Sequence, residues 1–151
     1  MHILMILSNP FTHDPRVYNE AKSLIKVGHE ATVLARDRQN ENPPREVRDG
    51  MLIRRIYNTR FISMLPYNVF DLYFWWNKGY DDALKLYKEK PFDVIHCNDL
   101  AILPIGVKLK KKYGSPLIYD AYDLWGYMIM VDLPKWWANY YFWKEKRFIR
   151  R

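Results

Sequence analysis

Residues 3–7 form an unbroken apolar run stopped by Ser8-Asn9-Pro10, and only one helix length separates it from a second apolar run at 31–35. This arrangement limits the possible folds more than any other feature of the chain. Between the runs, Asp14 precedes Pro15, the order expected of an N-cap followed by proline at the first helical position, where a missing amide hydrogen costs nothing. Val17, Ala21, Leu24 and Ile25 then share one helical face, and Gly28 suits the left-handed turn that closes a helix. Strand, helix, strand within about 35 residues is a βαβ unit, because two strands can lie parallel only if the chain crosses over between them.

The same pattern continues downstream. Residues 36–50 are polar, contain Pro43-Pro44, and show neither helical nor strand periodicity, so a mobile loop is expected there. Residues 51–57 suit a third strand. Pro66 opens a long helix in which Val69, Leu72, Tyr73, Trp76, Tyr80, Leu84 and Tyr87 recur at helical steps until Pro91. A fourth strand at 92–96, a helix at 100–113 and a fifth strand at 117–119 follow, with Pro104 tolerable only in the first turn of its helix. The expected fold is α/β: a Rossmann-like, doubly wound, mostly parallel sheet with helices on both faces, in a single domain over residues 1–151.

Two aromatic clusters exceed what a single core-facing stripe requires. Phe70, Phe74, Trp75 and Trp76 widen the apolar surface of the Pro66 helix, as core or as an interface. Trp136, Trp137, Tyr140, Tyr141, Phe142 and Trp143 cover most of the circumference of a final helix opened by Pro134. A helix apolar on most sides must be buried by something, so part of its packing partner is expected to lie outside this sequence.

Composition excludes several classes. With 151 residues, 49% of them hydrophobic, the chain can bury one core without a disulfide or metal staple. Its single cysteine, Cys97, closes no intrachain bridge and completes no structural zinc site. The net charge of +7 is concentrated in residues 135–151, which carry six basic side chains and one acidic. That distribution argues against a nucleic-acid footprint and for a local basic patch. No run approaches the roughly 18 apolar residues of a membrane span, and no signal peptide is evident at the N-terminus. A cytoplasmic protein is expected, with peripheral contact at the inner face of a membrane as the use for the aromatic and basic tail.

In an open α/β sheet, ligands collect outside the carboxyl ends of the strands. Asn9, His13, Asp14 and Arg16 follow the first strand, His96, Asn98 and Asp99 the fourth, and Asp120, Tyr122, Asp123 and Trp125 the fifth. Arg16 places a cation in the first turn of a helix, against the dipole, so something must compensate it: an anion or sugar hydroxyl, or a salt bridge to Glu20 or Asp14. One of Asn98 and Asp99 is expected to cap the helix that follows, leaving the other to face a ligand. His96 and Cys97 point to opposite faces of their strand and form no nucleophile pair. No Gly-X-Gly-X-X-Gly or Asp-X-Asp occurs, and the histidines at 2, 13, 29 and 96 lack metal-ligand spacing, so neither a dinucleotide clamp nor a metal site is indicated.

Four segments in register resemble the retaining glycosyltransferases of family 4, which have the two-domain GT-B fold. They are Asp14-Pro15-Arg16-Val17 with Glu20-Ala21 and Leu24; Gly28-His29-Glu30 with Thr32-Val33; 93–100 with Leu103-Pro104; and Tyr119-Asp120-Ala121 with Leu124-Trp125. The resemblance implies an N-terminal, acceptor-side domain. A nucleotide-sugar donor would be held by a C-terminal domain absent from this sequence, the acceptor would be a sugar or a lipid-linked molecule, and no cofactor or essential metal would be needed. It implies Asp99 and Tyr122 as the residues that orient the reacting hydroxyl, and Asn9, His13, Arg16, Asn98 and Asp123 around the acceptor. Relatives often carry His-Glu where this chain has Tyr122-Asp123. The competing expectation is a non-enzymatic Rossmann-like module that recruits a partner chain or an anionic membrane through its aromatic and basic C-terminal helix.

Overall fold

The computed structural model describes residues 1–59 and 69–121, together with positions 136, 139, 140, 142, 143, 146 and 147; of residues 69–73 it describes the backbone. Among residues 1–121, the described elements run in the order β1 (His2–Ile6), α1 (Pro15–Lys26), β2 (Glu30–Asp37), β3 (Arg45–Arg48), β4 (Met51–Tyr57), α2 (Val69–Glu89), β5 (Val94–Cys97), α3 (Leu103–Tyr113) and β6 (Leu117–Tyr119). The strands form one sheet in the order β3-β4-β2-β1-β5-β6. All neighbours are parallel except β3 and β4.

Side-chain alternation along β1 builds both cores. Ile3, Met5 and Leu7 meet Val17 and Ala21 of α1 on one face, whereas Leu4 and Ile6 pack with residues of α2 and α3 on the other. Because both faces are covered, β1 has to be apolar from Ile3 onward, which is why that run shows no polar alternation. The Asp14 cap forms as the sequence predicts, with its Oδ1 accepting from Val17 N at 3.2 Å.

The structure corrects one expectation. The 36–50 segment is not simply a loop: β2 continues through Asp37, and Arg45–Arg48 adds an antiparallel edge strand to β4. β3 alternates exposed and half-buried positions, with Val47 its single apolar residue, so pairing with β4 rather than burial stabilises it. Its charged side chains also protect the sheet edge.

The aromatic surplus on α2 divides. Trp75 is buried in the core, Trp76 is half-buried and donates its indole N–H to the Ala101 carbonyl, and Phe74 is exposed. The Phe70 side chain and the opening of that helix at Pro66 lie outside what is described.

Strand order reverses between β1 and β5. β2 and β4 extend the sheet on one side of β1, while β5 and β6 extend it on the other. Connections leaving β1 and β5 therefore diverge, opening a crevice beyond their carboxyl ends, the usual place for a ligand in such a sheet.

Candidate functional site

The loop after β1 is held by its own side chains. Asn9 Oδ1 accepts from Phe11 N at 2.8 Å, and Asn9 Nδ2 donates to Asp14 Oδ2 at 2.9 Å. Both ends of the Asn9 amide therefore shape the loop. Phe11 sits in the left-handed region at φ 56°, a conformation a non-glycine residue holds only when its surroundings demand it, and its ring is fully buried against the α1 core. His13 is exposed on the same loop.

Arg16 is paired across the fold. Its Nη1 donates to Asp120 Oδ2 at 2.5 Å, tying the start of α1 to the residue after β6. That carboxylate supplies the compensating charge the helix dipole requires. Beside this pair, His96 Nδ1 lies 3.3 Å from Glu20 Oε1. Cys97 faces the opposite side, against α3, and burial pushes its thiol far above the ordinary range, leaving it inert as a nucleophile.

Of Asn98 and Asp99, the aspartate is the one that caps. Asp99 Oδ1 accepts from Ile102 N at 3.1 Å, capping the turn that leads into α3, and its Oδ2 accepts from Ser8 Oγ at 2.5 Å, joining the ends of β5 and β1. Asn98 does neither. It is 3% exposed, its backbone N–H donates to the Ile6 carbonyl at 3.3 Å, and both its side-chain oxygen and its nitrogen lack any hydrogen-bond partner. A buried amide with both functions unmet costs roughly 1–3 kcal/mol per group, which marks Asn98 out from the polar residues around it. Tyr122 and Asp123 lie outside the described residues.

Burial lifts the Asp99 carboxyl above the usual carboxylate range, by more than the hydrogen bonds from Ser8 and from the amides of Ile102 and Ala101 lower it. A group with a raised folded-state pKa binds more protons folded than unfolded. Its contribution to stability is therefore present below about pH 4 and is lost as pH rises through the raised value. Asp99→Asn keeps an acceptor for Ile102 N and removes the titration. We expect the stability difference to move in favour of Asp99→Asn as pH rises from about 4 towards 7 in paired denaturant titrations. A constant difference across that range would mean that Asp99 does not titrate there.

Among the described residues no three His, Cys, Asp or Glu side chains converge as metal ligands, and no helix is long and apolar enough to cross a membrane. A recess of about 480 Å³ opens between the carboxyl ends of β1 and β2, lined by Ser8, Asn9, Arg36, Asp37, Arg38 and Gln39 among others. Sequence reasoning missed it, although Arg36 and Asp37 end the apolar run of β2 just as Asn98 and Asp99 end that of β5. Ser8 was missed too, having looked only like a turn residue.

The whole chain superimposes on a sucrose-phosphate synthase from Thermosynechococcus elongatus with a TM-score of 0.75 at 12% identity, covering 41% of that protein. A shorter form of the same synthase aligns with 79% of this chain and 62% of its own length, at a TM-score of 0.58 and 14% identity. The glycotransferase of kitacinnamycin aligns with 78% of this chain and 29% of its own, at 0.52 and 20%. These likenesses establish the fold, and the chain spans about two fifths of the first of these proteins. A sequence search of curated proteins finds no significant match. The sequence model of Glycosyltransferase Family 4 matches residues 16–151, beginning at the arginine that pairs with Asp120, and the chain therefore belongs to that family.

Proposed function

We propose that this chain is the acceptor-binding half of a glycosyltransferase, which moves a sugar from a nucleotide-sugar to an acceptor with retention of configuration. A second domain holds the donor, and this half alone does not turn over. The observation that carries the reading is Asn98, whose buried, unpartnered amide stands at the topological switch point. An amide offers one acceptor and two donors, the complement of a sugar hydroxyl pair. In this reading Asp99 and Tyr122 orient the reacting hydroxyl, Arg16 and Asp123 border the acceptor, and Asn9 and His13 form the rim. Positive charge in the second domain stabilises the departing diphosphate.

Asn98→Leu separates binding from folding. Replacing an unpartnered buried amide with an apolar group of similar size removes a desolvation cost, so the ligand-free domain should melt at the same temperature or higher. In the full-length protein carrying this domain, acceptor KM should rise about tenfold or more, because two hydrogen bonds to the acceptor are lost. An unchanged acceptor KM would refute the site. A second check is direct: nucleotide-sugar binding tightly to residues 1–151 alone would place the donor here and overturn the division of labour.

A distinct observation favours peripheral membrane contact. Trp136, Tyr140 and Trp143 are exposed at helical spacing, and the Arg147 guanidinium lies 5.2 Å from the Trp143 ring centre. Indole rings beside cations suit a lipid headgroup region, consistent with a lipid-linked acceptor or with the competing role of a non-enzymatic recruitment module. Co-sedimentation with anionic vesicles that disappears in a Trp136→Ala, Trp143→Ala double variant is the expected result.

A further inference from the structure

A turn of two residues joins β3 to β4. Arg48 pairs with Met51, so Asp49 and Gly50 alone reverse the chain, and both hold left-handed backbone, at φ 49° and 84°. Such a turn needs positive φ at both central positions, which is why aspartate followed by glycine serves there. The same pair of residues carries a chemical liability. The backbone nitrogen after an aspartate can attack its side-chain carboxyl, and glycine, having no side chain, obstructs that attack least.

Three features of the turn leave the attack open. Asp49 and Gly50 are both exposed, so water reaches the reacting atoms. Among the described residues nothing accepts a hydrogen bond from the Gly50 amide, so no such bond has to break before its nitrogen reacts. The strand on one side is weak: β3 has four residues at the sheet edge, and its one apolar side chain, Val47, is 72% exposed. A strand held by pairing alone opens at low cost. In the closed turn Asp49 Oδ2 accepts from Tyr18 Oη at 2.6 Å, which holds the carboxyl on α1, and a Cβ on Gly50 would stand 3.5 Å from Ile25 Cγ2 of the same helix. The closed hairpin therefore guards the bond, and opening frees the side chain and backbone of Asp49 for ring closure.

We propose that Asp49 is a site of spontaneous isoaspartate formation, gated by opening of the β3–β4 hairpin. The Gly50 nitrogen bonds to Asp49 Cγ while the bond from Cγ to one side-chain oxygen breaks. That oxygen leaves as water, taking the amide proton and one proton from solvent, and a five-membered succinimide remains. Water then adds at the main-chain carbonyl carbon of Asp49, and the bond from that carbon to the Gly50 nitrogen breaks. The chain now runs through Cγ, with a free carboxylate at the former main-chain carbon. Water is the only co-reactant. The backbone is longer by one methylene, so the two-residue turn no longer fits the Arg48–Met51 register. β3 then leaves β4 and takes with it Glu46, whose Oε2 accepts from Arg55 Nη1 at 2.8 Å. None of this depends on the transferase reading.

The test is storage of the 151-residue chain at neutral pH and physiological temperature, with peptide mapping that separates isoaspartyl from aspartyl forms. A synthetic peptide of residues 45–54 serves as the unstructured reference. Isoaspartate should accumulate at position 49 of the folded chain, about tenfold or more slowly than in the peptide. Arg55→Ala, which releases β3, should raise the folded-chain rate about tenfold or more. If that variant does not fold, wild-type rates in rising sub-denaturing urea read the same dependence on opening. Asp49→Asn suits the same turn and reaches the same succinimide by loss of ammonia, so it should yield mixed aspartyl and isoaspartyl products at position 49 sooner than wild type. Absence of isoaspartate from both the wild-type and Asp49→Asn chains while the peptide converts would overturn the proposal. A rate indifferent to Arg55→Ala and to urea would overturn it as well, because the hairpin would not be the gate.

Discussion

Replacing Arg55 with alanine should cost this domain about 3 kcal/mol, within the roughly 3–5 kcal/mol seen when one partner of a buried ion pair is removed. Arg55 lies on β4 and is 2% exposed. Its guanidinium donates to Pro10 O at 2.8 Å, to Pro43 O at 3.0 Å and to Glu46 Oε2 at 2.8 Å. One side chain therefore fastens the loop after β1, the loop before β3 and β3 itself. Arg55 also holds the Glu46 carboxyl below the usual carboxylate range, with Arg48 adding to the effect. Glu46 is 27% exposed on its side chain and can regain water when Arg55 is lost, which places the cost at the lower end of the range. For a domain of this size a loss of about 3 kcal/mol lowers Tm by roughly 6–12 °C. Arg55→Lys should recover only part of it, since an ammonium cannot reach three acceptors set around a planar fork. A melting temperature within about 2 °C of wild type for Arg55→Ala would show that the loop is held by other means. The variant should also loosen the loop that carries Ser8 and Asn9, so hydrogen exchange at Phe11 N and Arg36 N, whose partners are Asn9 Oδ1 and Asn9 O, should accelerate with it.

The second large effect is expected at Gly106, in the buried first half of α3. A Cβ there would stand 2.5 Å from Cys97 Sγ and 2.8 Å from Leu117 Cδ1, so the helix lies directly on the sheet. Alanine within a helix gains about 1 kcal/mol over glycine in propensity, whereas forcing an added methyl into a packed core costs about 1–3 kcal/mol. Overpacking should win in the wild-type background, because the sulfur is buried and has nowhere to move, while the Leu117 methyl end can swing aside. Gly106→Ala alone should therefore destabilise the domain. In a Cys97→Ala background the sulfur is gone and the sign should reverse, giving a coupling of about 1–3 kcal/mol in a double-mutant cycle. Additive effects of the two substitutions would mean that the contact does not limit the approach of α3.

Much of the fold was legible because its signals are local. The Asp14-Pro15 start of α1, the apolar runs of β1 and β2, the strand at Met51–Tyr57 and the strand at Leu117–Tyr119 all stand where the sequence placed them. The helix after β5 begins three residues later than expected, because Asp99 caps a preceding turn through Ile102 N and Ile102 itself takes the N-cap position. β3 was illegible for a different reason: a charged edge strand with one apolar residue carries no burial signal, and only its ladder with β4 makes it a strand.

Within the site, residue types and strand-end positions could be read directly, but partners could not. That Arg16 needed a counter-charge followed from its place in the first turn of α1. That the counter-charge is Asp120, more than a hundred positions away, followed from β6 being placed at the sheet edge next to β5. That one of Asn98 and Asp99 would cap was clear from capping chemistry. Which of them remained unpartnered depended on the Ser8 hydroxyl arriving from β1 to bind Asp99. The recess with Arg36 and Arg38 escaped notice because a polar segment after a strand reads as loop until the neighbouring strand end supplies its other wall.

The sequence by itself determined every element but β3, and the class of sheet, since capping, helical spacing and unbroken apolar runs act over a few residues and need no knowledge of the rest of the chain. Only the tertiary structure decided which strand ends became neighbours. The contacts that join one strand end to another, Ser8 with Asp99 and Arg16 with Asp120, link side chains from different elements, and the energy of such a contact depends on a separation in space that no spacing along the chain records.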